Sequence, residues 1–423
     1  MSMEGGGILE IGEMPEGWKA LKLEDVGVLQ YGFTASAKND NTGIKLLRIT
    51  DITDIGIDWP NVPYCDLKDS EFKKYELSKG DVLFARIGST TGKTCYIDRH
   101  VKGVFASYLI RFRPLADDIE TNFLYFYTQS RLYWSQINKN KEAHLKKGIN
   151  AKVLGNLLMP LPPLPEQRRI AEVLGTVDSA IQKVGGAIES TERLKKGLMQ
   201  RLLMRGIGHE RFKESEVGRV PEEWEVVRLG DVADDFVGGG TPSTTNPDYW
   251  NGKIAWMTSS HINGRIVNSG QRLITEKGLK ESSTHLIPKD NLLVATRVGI
   301  GKAAINSIDV AISQDLTGVI IKKDKVNADY IYWVLLANLN KLKSLAQGST
   351  IKGILKDDLA NLKIPLPPLP EQRRIAEILS AVDRKLELER RRKEKLSRVK
   401  KGLMNELLTG RKRLKVENDG NIY

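Results

Sequence analysis

The sequence has few of the residues that build disulfide frameworks and metal sites. Its 423 residues include two cysteines, Cys65 and Cys95, and five histidines. Two cysteines are too few for a disulfide framework or a cysteine-ligated zinc site, which favours a reducing compartment. The zinc-protease motif HExxH and the nucleophile motif GxSxG are both missing. We therefore predict no catalytic residue and no metal ligand set in this chain.

Long apolar runs are missing as well. No 18 consecutive residues are apolar, and the opening MSMEGGGILEIGEMPEGW lacks the charged and apolar regions of a signal peptide. We therefore expect a globular cytoplasmic protein, whose length suggests about two to four domains. The 65 Lys and Arg residues outnumber the 53 Asp and Glu residues, and the net charge of +12 favours a polyanionic partner.

The chain contains an internal repeat. The string LPPLPEQRRIAE occupies residues 161–172 and recurs unchanged at 366–377, 205 positions later. The same shift pairs RLKKGLMQRLL with RVKKGLMNELL, and a similar shift pairs PEGWKALKLEDV with PEEWEVVRLGDV. Residues 30–75 and 236–285, in contrast, share little. Drift after duplication would not spare one element so selectively, so the sequence predicts a constant scaffold that carries two different surfaces.

The constant element is a long helix. Prolines precede each copy, and Glu166 and Glu371 fall in the first turn, where the helix dipole favours a carboxylate. Apolar residues then recur at alternating spacings of four and three, which is a coiled-coil heptad pattern interrupted at positions such as Lys195 and Lys400. The predicted seam consists of Ile170, Leu174, Val177, Ile181, Val184, Ile188, Leu198, Leu202, Ile375, Leu379, Val382, Leu386, Leu396, Leu403 and Leu407.

A helix of about 40 residues is roughly 60 Å long and needs a partner for its apolar face. Because the whole unit is repeated, we expect the two helices to pair with each other, antiparallel and about a pseudo-two-fold axis. Two separate surface helices are the alternative.

The stretch GSTTGKT at 88–94 resembles a phosphate-binding loop. Its two glycines are separated by three residues instead of four, and the following TCYIDRHVKGVFASYLIRFRP has the alternation of strands where a helix must follow. The second half has the counterpart LVATRVGIGKAA at 293–304, which keeps the strand-end Arg (Arg297, matched with Arg86), two glycines and a Lys but not the spacing. We interpret both stretches as hairpin turns that contact DNA. A plain hairpin is the alternative.

The stretch NPDY at 246–249 resembles the adenine-methyltransferase tetrapeptide NPPY. Asp248 replaces its second proline, and no glycine-rich cofactor turn precedes it at a usable distance. We therefore predict no methyltransferase activity from it.

Three strings carry a resemblance to a known family. They are the two copies of PLPPLPEQRRIAE, the stretch FKESEVGRVPEEWEVVRLGDV, and GGGTPSTTNPDYWNGKIAWMTSSHI. Over nearly the whole chain the layout resembles the specificity subunit of Type I restriction-modification systems. The resemblance implies a mixed α/β (α+β) fold, in which two globular target recognition domains are separated by two long antiparallel coiled-coil helices. The implied segments are a leader at 1–14, recognition domains at 15–158 and 221–363, helical regions at 159–206 and 364–410, a linker at 207–220, and a tail at 411–423.

The same resemblance implies a function. Each recognition domain would bind one half of a bipartite, asymmetric site in double-stranded DNA, and the paired helices would fix the spacer and dock two methyltransferase subunits. Restriction subunits would join the full complex, and the chain would be required for DNA methylation and restriction in host defence without being catalytic. S-adenosylmethionine, ATP and Mg would bind only to the partner subunits. A two-headed protein-binding scaffold remains the alternative, followed by a nucleotide-binding protein that uses residues 88–94.

Candidate DNA-binding residues lie in the two hairpin turns, in the unlike parts of the two halves, and just before the long helices. Arg and Lys reach phosphates or guanine edges, and Ser, Thr and His offer further hydrogen bonds to bases. Lys147 and Lys352, near the helices, are expected to contact phosphates instead of bases. The candidates are Lys45, Arg48, Arg86, Ser89, Thr90, Lys93, Lys147, Thr241, Ser243, His261, Arg297, Lys302 and Lys352.

Overall fold

The computed structural model describes residues 14–53, 56–143, 148–344 and 353–414. The chain divides into two compact units. The first unit comprises Met1–Gly186 and Arg391–Tyr423, and the second unit is Ala187–Arg390. Each unit therefore contains one globular domain, the N-terminal half of one long helix and the C-terminal half of the other.

The two long helices are Leu164–Arg205, with 42 residues, and Leu369–Leu407, with 39 residues. In the first unit, Ile170 and Leu174 share a hydrophobic core with Leu403 and Leu407. Further along the first helix, Asp178 Oδ1 accepts a hydrogen bond of 2.5 Å from Lys400 Nζ. Because higher numbers on the first helix meet lower numbers on the second, the two segments pack antiparallel.

The second unit repeats this arrangement. Ile375 and Leu379 share a hydrophobic core with Leu202, against which Leu198 also packs. Lys195 Nζ donates a hydrogen bond of 2.5 Å to Asp383 Oδ1. Every predicted seam residue is buried or half-buried. The predicted antiparallel pairing is confirmed, and two polar residues that interrupt the heptads, Lys195 and Lys400, hold equivalent ion pairs between the helices.

In the first unit, the globular domain is built around a four-stranded antiparallel sheet with the order Gly27–Tyr31, Leu109–Pro114, Val82–Ala85, Thr94–Tyr96. Smaller sheets pair Lys19–Lys22 with Leu158–Leu161, Lys45–Leu47 with Gly103–Phe105, and Ile52–Thr53 with Gly56–Ile57. The helices are Leu23–Val26, Asp69–Tyr75, Thr121–Tyr127, Arg131–Ala143 and Ala151–Gly155, with 3₁₀ turns at Ile49–Asp51, Trp59–Asn61 and Gly88–Thr90.

In the second unit, the domain contains a five-stranded sheet with the order Ala233–Gly238, Leu316–Ile321, Leu292–Ala295, Ala303–Asn306, Ile266–Val267. A four-stranded sheet has the order Arg272–Ile274, Trp250–Met257, Val310–Ile312, His285–Ile287. Two-stranded sheets pair Glu225–Arg228 with Lys363–Leu366 and Phe212–Lys213 with Val220–Pro221. The helices are Glu276–Lys280, Ala328–Ala337, Leu339–Ser344 and Lys356–Ala360, with 3₁₀ turns at Leu229–Val232, Pro247–Tyr249 and Ser259–His261.

The Pro-Glu-Gln part of the repeated string, at 165–167 and 370–372, anchors each long helix to its own domain. Trp18 Nε1 donates to Glu166 Oε2 at 3.1 Å, and Trp224 Nε1 donates to Glu371 Oε2 at 3.0 Å. A buried carboxylate needs such donors, because an unsatisfied one is costly to bury. The glutamine that follows each Glu also bonds to the loop before a domain helix, as in the 2.9 Å bond from Glu120 N to Gln167 Oε1. These contacts explain why the string is identical in both halves.

Candidate nucleic-acid interface

The GSTTGKT stretch forms the turn of a β-hairpin. Strands Val82–Ala85 and Thr94–Tyr96 pair antiparallel, and the turn is closed by a 2.8 Å bond from Ala85 N to the carbonyl oxygen of Lys93. Gly88 and Gly92 have φ angles of 73° and 89°, in the left-handed region that favours glycine. A strand, not a helix, follows Lys93, so the turn lacks the helix N-terminus that a P-loop needs. The hairpin prediction is confirmed.

The turn begins with a partly exposed arginine. The guanidinium of Arg86 lies 5.0 Å from the centre of the Tyr31 ring, and its buried Nε has no hydrogen-bond partner among the described residues. Ser89 is exposed, and Thr90 is half-buried with its hydroxyl donating to Ile87 O at 3.3 Å. Lys93 is half-buried. The structure therefore brings the four predicted residues of this turn together.

A second turn, Ala106–Tyr108, brings Arg48 to the same region. Ala106 N donates to Leu47 O at 2.9 Å, and Arg86 N donates to Tyr108 O at 3.0 Å. The turn thus lies between the segments that carry the two arginines. Tyr108 is 51% exposed and Tyr31 is 41% exposed. Sequence reasoning missed both tyrosines, although exposed aromatic rings beside arginines are suited to stacking and apolar contacts with DNA.

The second unit carries a corresponding hairpin. Strands Leu292–Ala295 and Ala303–Asn306 pair antiparallel, and Ala295 N donates to Lys302 O at 2.9 Å, as Ala85 does to Lys93. Gly299 and Gly301 again have positive φ angles, of 74° and 100°. Arg297 and Lys302 are both exposed.

The backbone register corrects one prediction. The backbone carbonyl of Arg86 accepts a 2.8 Å hydrogen bond from Ile149 N, and its backbone amide donates to Tyr108 O. In the second unit, the backbone carbonyl of Thr296 accepts a 2.8 Å hydrogen bond from Ile354 N, and its amide donates to Asp315 O at 3.0 Å. Thr296 is therefore the counterpart of Arg86. The prediction that Arg297 is that counterpart is wrong by one position, because Thr296 stands between Ala295 and Arg297, whereas Arg86 directly follows the equivalent Ala85.

The same register shows which side chains differ on the shared frame. Tyr31 pairs with Ile110 in the first unit, where Gly238 pairs with Thr317 in the second. Tyr108 likewise corresponds to Asp315. The first unit therefore presents Arg and two Tyr side chains where the second has Gly238, Asp315 and the buried Thr296. Two domains with the same backbone plan offer chemically unlike surfaces.

Two further candidates of the first unit have partners within the domain. Lys45 Nζ donates to the carbonyl oxygens of Trp59 at 2.9 Å and Val62 at 3.0 Å. Arg48 forms a two-pronged ion pair with Asp51, at 3.1 Å from Nε and 2.8 Å from Nη2. A DNA contact by either side chain requires these bonds to be shared or exchanged. Lys147 and Lys352 lie outside the described residues.

The candidates of the second unit form a more polar set. Thr241 Oγ1 donates to Gln314 Oε1 at 2.6 Å, and His261 Nε2 lies 3.2 Å from Ser269 O. The hydroxyl of Ser243 is exposed and lies 2.9 Å from that of Thr245. Their roles in DNA binding stay predictions.

The NPDY stretch serves a structural purpose. Asn246 Oδ1 accepts from Asp248 N at 3.1 Å and thereby caps a 3₁₀ turn, while Asp248 forms a 2.9 Å ion pair with Lys277. Tyr249 donates to Glu281 at 3.1 Å. Across the described ranges, no three His, Cys, Asp or Glu side chains are grouped as metal ligands. Within the same ranges, no helix has the length and apolar content needed to cross a membrane.

Comparisons with known proteins agree with this architecture. The family model of the Type I restriction modification DNA specificity domain matches residues 15–190 and 221–398, one copy for each half of the repeat. The MjaX specificity subunit of Methanocaldococcus jannaschii is 34% identical over 415 residues, covering 96% of each chain. The EcoR124I/EcoR124II specificity subunit of Escherichia coli is 26% identical over 324 residues, covering 73% of this chain and 74% of that one.

Solved structures share the fold. The S subunit of a Type I restriction-modification system from M. genitalium superposes with a TM-score of 0.61 at 13% identity, covering 94% of this chain and 98% of that one. A chain from a structure of a type I R-M system reaches a TM-score of 0.52 at 20% identity, covering 94% and 99%. Since the family model matches both halves of the repeat, this chain belongs to the family of Type I restriction-modification DNA specificity subunits.

Proposed function

We propose that the chain is the DNA specificity subunit of a Type I restriction-modification complex and that each unit binds one half of a bipartite, asymmetric DNA site. The observation that carries this proposal is the pair of hairpin surfaces, which share a backbone frame but differ in side chains. Identical surfaces would read a symmetric site, whereas unlike surfaces read unlike half-sites.

The chemistry of the two surfaces supports DNA as the ligand. In the first unit, Arg86 and Arg48 flank an exposed turn, and in the second Arg297 and Lys302 are exposed on a glycine-containing loop. Arginine offers paired donors to a guanine edge, and lysine and backbone amides suit phosphates. The net charge of +12 adds a favourable long-range field.

The paired helices are the proposed docking element for two methyltransferase subunits, which restriction subunits join in the full complex. The chain itself recognises DNA and is not catalytic in this proposal. S-adenosylmethionine, ATP and Mg are assigned to the partner subunits. The long helices support a docking role because Leu194, Leu388 and Val399 expose 54%, 66% and 51% of their surface, and exposed apolar residues are common where partners bind.

Selection from a random duplex library tests the proposal. The chain is purified with its methyltransferase subunit, and bound duplexes are sequenced after successive rounds. We expect a split motif with two unlike halves and a fixed gap. Arg86→Ala should relax preference in one half only, and Lys302→Ala should weaken binding with little change in either half. Enrichment of no motif by a folded complex would refute DNA recognition and favour the protein-binding scaffold.

A further inference from the structure

A basic groove in the first unit is not used by the proposed DNA surface. It lies between the start of the domain helix Arg131–Ala143 and the C-terminal part of the second long helix, and it encloses about 1000 Å³. Among the described residues, five cationic side chains line it and no Asp or Glu does. These cations are Arg131, Arg398, Lys400, Lys401 and Arg411.

Most of this charge is not neutralised by the residues that the structure describes. Lys400 is paired with Asp178 at 2.5 Å, and Arg398 lies 3.7 Å from Glu394. Arg131, Lys401 and Arg411 are exposed, and their side chains have no ion pair or hydrogen bond among the described residues. Several like charges around one groove repel each other, so an anionic ligand there is favoured.

The groove opens on a different side of the domain helix from the hairpin. Arg131, Leu132 and Ser135 line the groove. The opposite helix face lies under GSTTGKT, where the hydroxyl of Tyr133 donates to Gly92 O at 2.8 Å. At about 100° per residue, positions 131 and 135 lie nearly opposite position 133. A duplex held at the hairpin tip therefore lies across the helix from the groove, which favours a ligand other than that duplex.

The rest of the lining suits a polypeptide. The half-buried side chains of Leu132 and Met404 supply apolar surface, and Gln129 and Asn405 supply amide groups. Gly402 leaves the helix surface without a side chain. A ligand with carboxylates and apolar side chains in alternation would satisfy both parts of this lining.

We propose that this groove docks an acidic, partly apolar segment of a partner protein. The inference rests on the proposed function, because the partner is taken to be a methyltransferase subunit of the same assembly. The basic character is stronger in the first unit. At the corresponding positions of the repeat, 205 earlier, Arg193, Lys195 and Lys196 retain three of the cations, but Glu192 replaces Ser397 and Gly206 replaces Arg411. The two partner copies are therefore held unequally, and the copy at the first unit is held through charge.

The test reverses two unpaired cations. The variant Arg131→Glu/Lys401→Glu is purified in full length and titrated with the purified methyltransferase subunit, with native mass spectrometry for stoichiometry. The matched control is Lys196→Glu, which changes the repeat counterpart of Lys401 on the other long helix. We expect the control to bind two copies as the wild type does. The double variant should bind one copy with unchanged affinity and the other about tenfold to a hundredfold more weakly. Arg131→Gln/Lys401→Gln should give a smaller loss.

Each outcome has a definite meaning. Equal binding of both copies by the double variant, with its circular dichroism unchanged, overturns the groove proposal. Normal assembly combined with weaker binding of a duplex and a shallower salt dependence makes the groove a DNA-backbone site and also overturns it. A wild-type chain that fails to assemble or to bind DNA refutes the proposed function itself, so the two failures are distinguishable.

Discussion

The ion pair between Lys195 and Asp383 provides a quantitative test of how the long helices pair. The ammonium of Lys195 lies 2.5 Å from Asp383 Oδ1 and 5.0 Å from the centre of the Trp333 ring. The two charged side chains are 20% and 27% exposed. Fully exposed pairs contribute about 0.2–1 kcal/mol, whereas removal of one partner of a buried pair costs about 3–5 kcal/mol. We therefore expect a coupling free energy of about 1–2 kcal/mol.

A double-mutant cycle measures this coupling. Lys195→Ala, Asp383→Ala and the double variant are compared with the wild type by native-state hydrogen exchange of peptides covering residues 375–386. Hydrogen exchange reports the free energy of local opening, so it remains valid in a chain with two units. The coupling is the non-additive part of the three changes.

The pair formed by Arg390 and Glu192 is the control for this cycle. It joins the same two helices at 2.5 Å, but its side chains are 59% and 46% exposed. Its coupling should stay below about 0.5 kcal/mol and should disappear at high salt. Equal couplings for the two pairs, or a value near zero for Lys195 and Asp383, would show that the helices do not pack in this register.

Two further predictions concern buried groups of the first unit. Asp81→Ala should lower the free energy of unfolding of this unit by about 3–5 kcal/mol, because it leaves the buried Arg111 guanidinium without its 3.3 Å carboxylate partner. Chemical denaturation measures this loss, and a loss below about 1 kcal/mol would contradict the prediction. Cys65 and Cys95 are buried, and burial raises the pKa of both thiols, so a thiol reagent at pH 8 should react with them only as fast as the unit opens. Fast labelling of the native chain would show that the thiols are accessible.

The helices could be predicted from the sequence because their signals are local. Heptad spacing shows which face of each helix is apolar, and the repeat identifies the partner helix. The seam residues from Ile170 to Leu407 can therefore be predicted without knowledge of the domain structures. The ion pairs of Lys195 and Lys400 could not be anticipated in the same way. Their carboxylate partners, Asp383 and Asp178, lie far away in sequence and meet them only when the antiparallel register is set.

The recognition surfaces were predicted less completely, for a physical reason. Glycines and a lysine mark both hairpins in the sequence, but the position of an arginine relative to the strands depends on where each strand ends. The shared Arg-x-Gly spacing matches Arg297 with Arg86, whereas the hydrogen-bond ladder matches Thr296 with Arg86. Tyr31 and Tyr108 meet Arg86 only through strand pairing, so no local pattern marks them.

Exchange of one recognition domain tests the central claim most directly. Residues 15–158 are replaced by the corresponding domain of a relative, the complex with its methyltransferase subunits is expressed, and methylated adenines are mapped by single-molecule sequencing. We expect a bipartite asymmetric motif for the original chain, and a motif changed in one half, with the same gap, after the exchange. A change in both halves, or a continuous motif without a gap, would contradict independent reading by two unlike units.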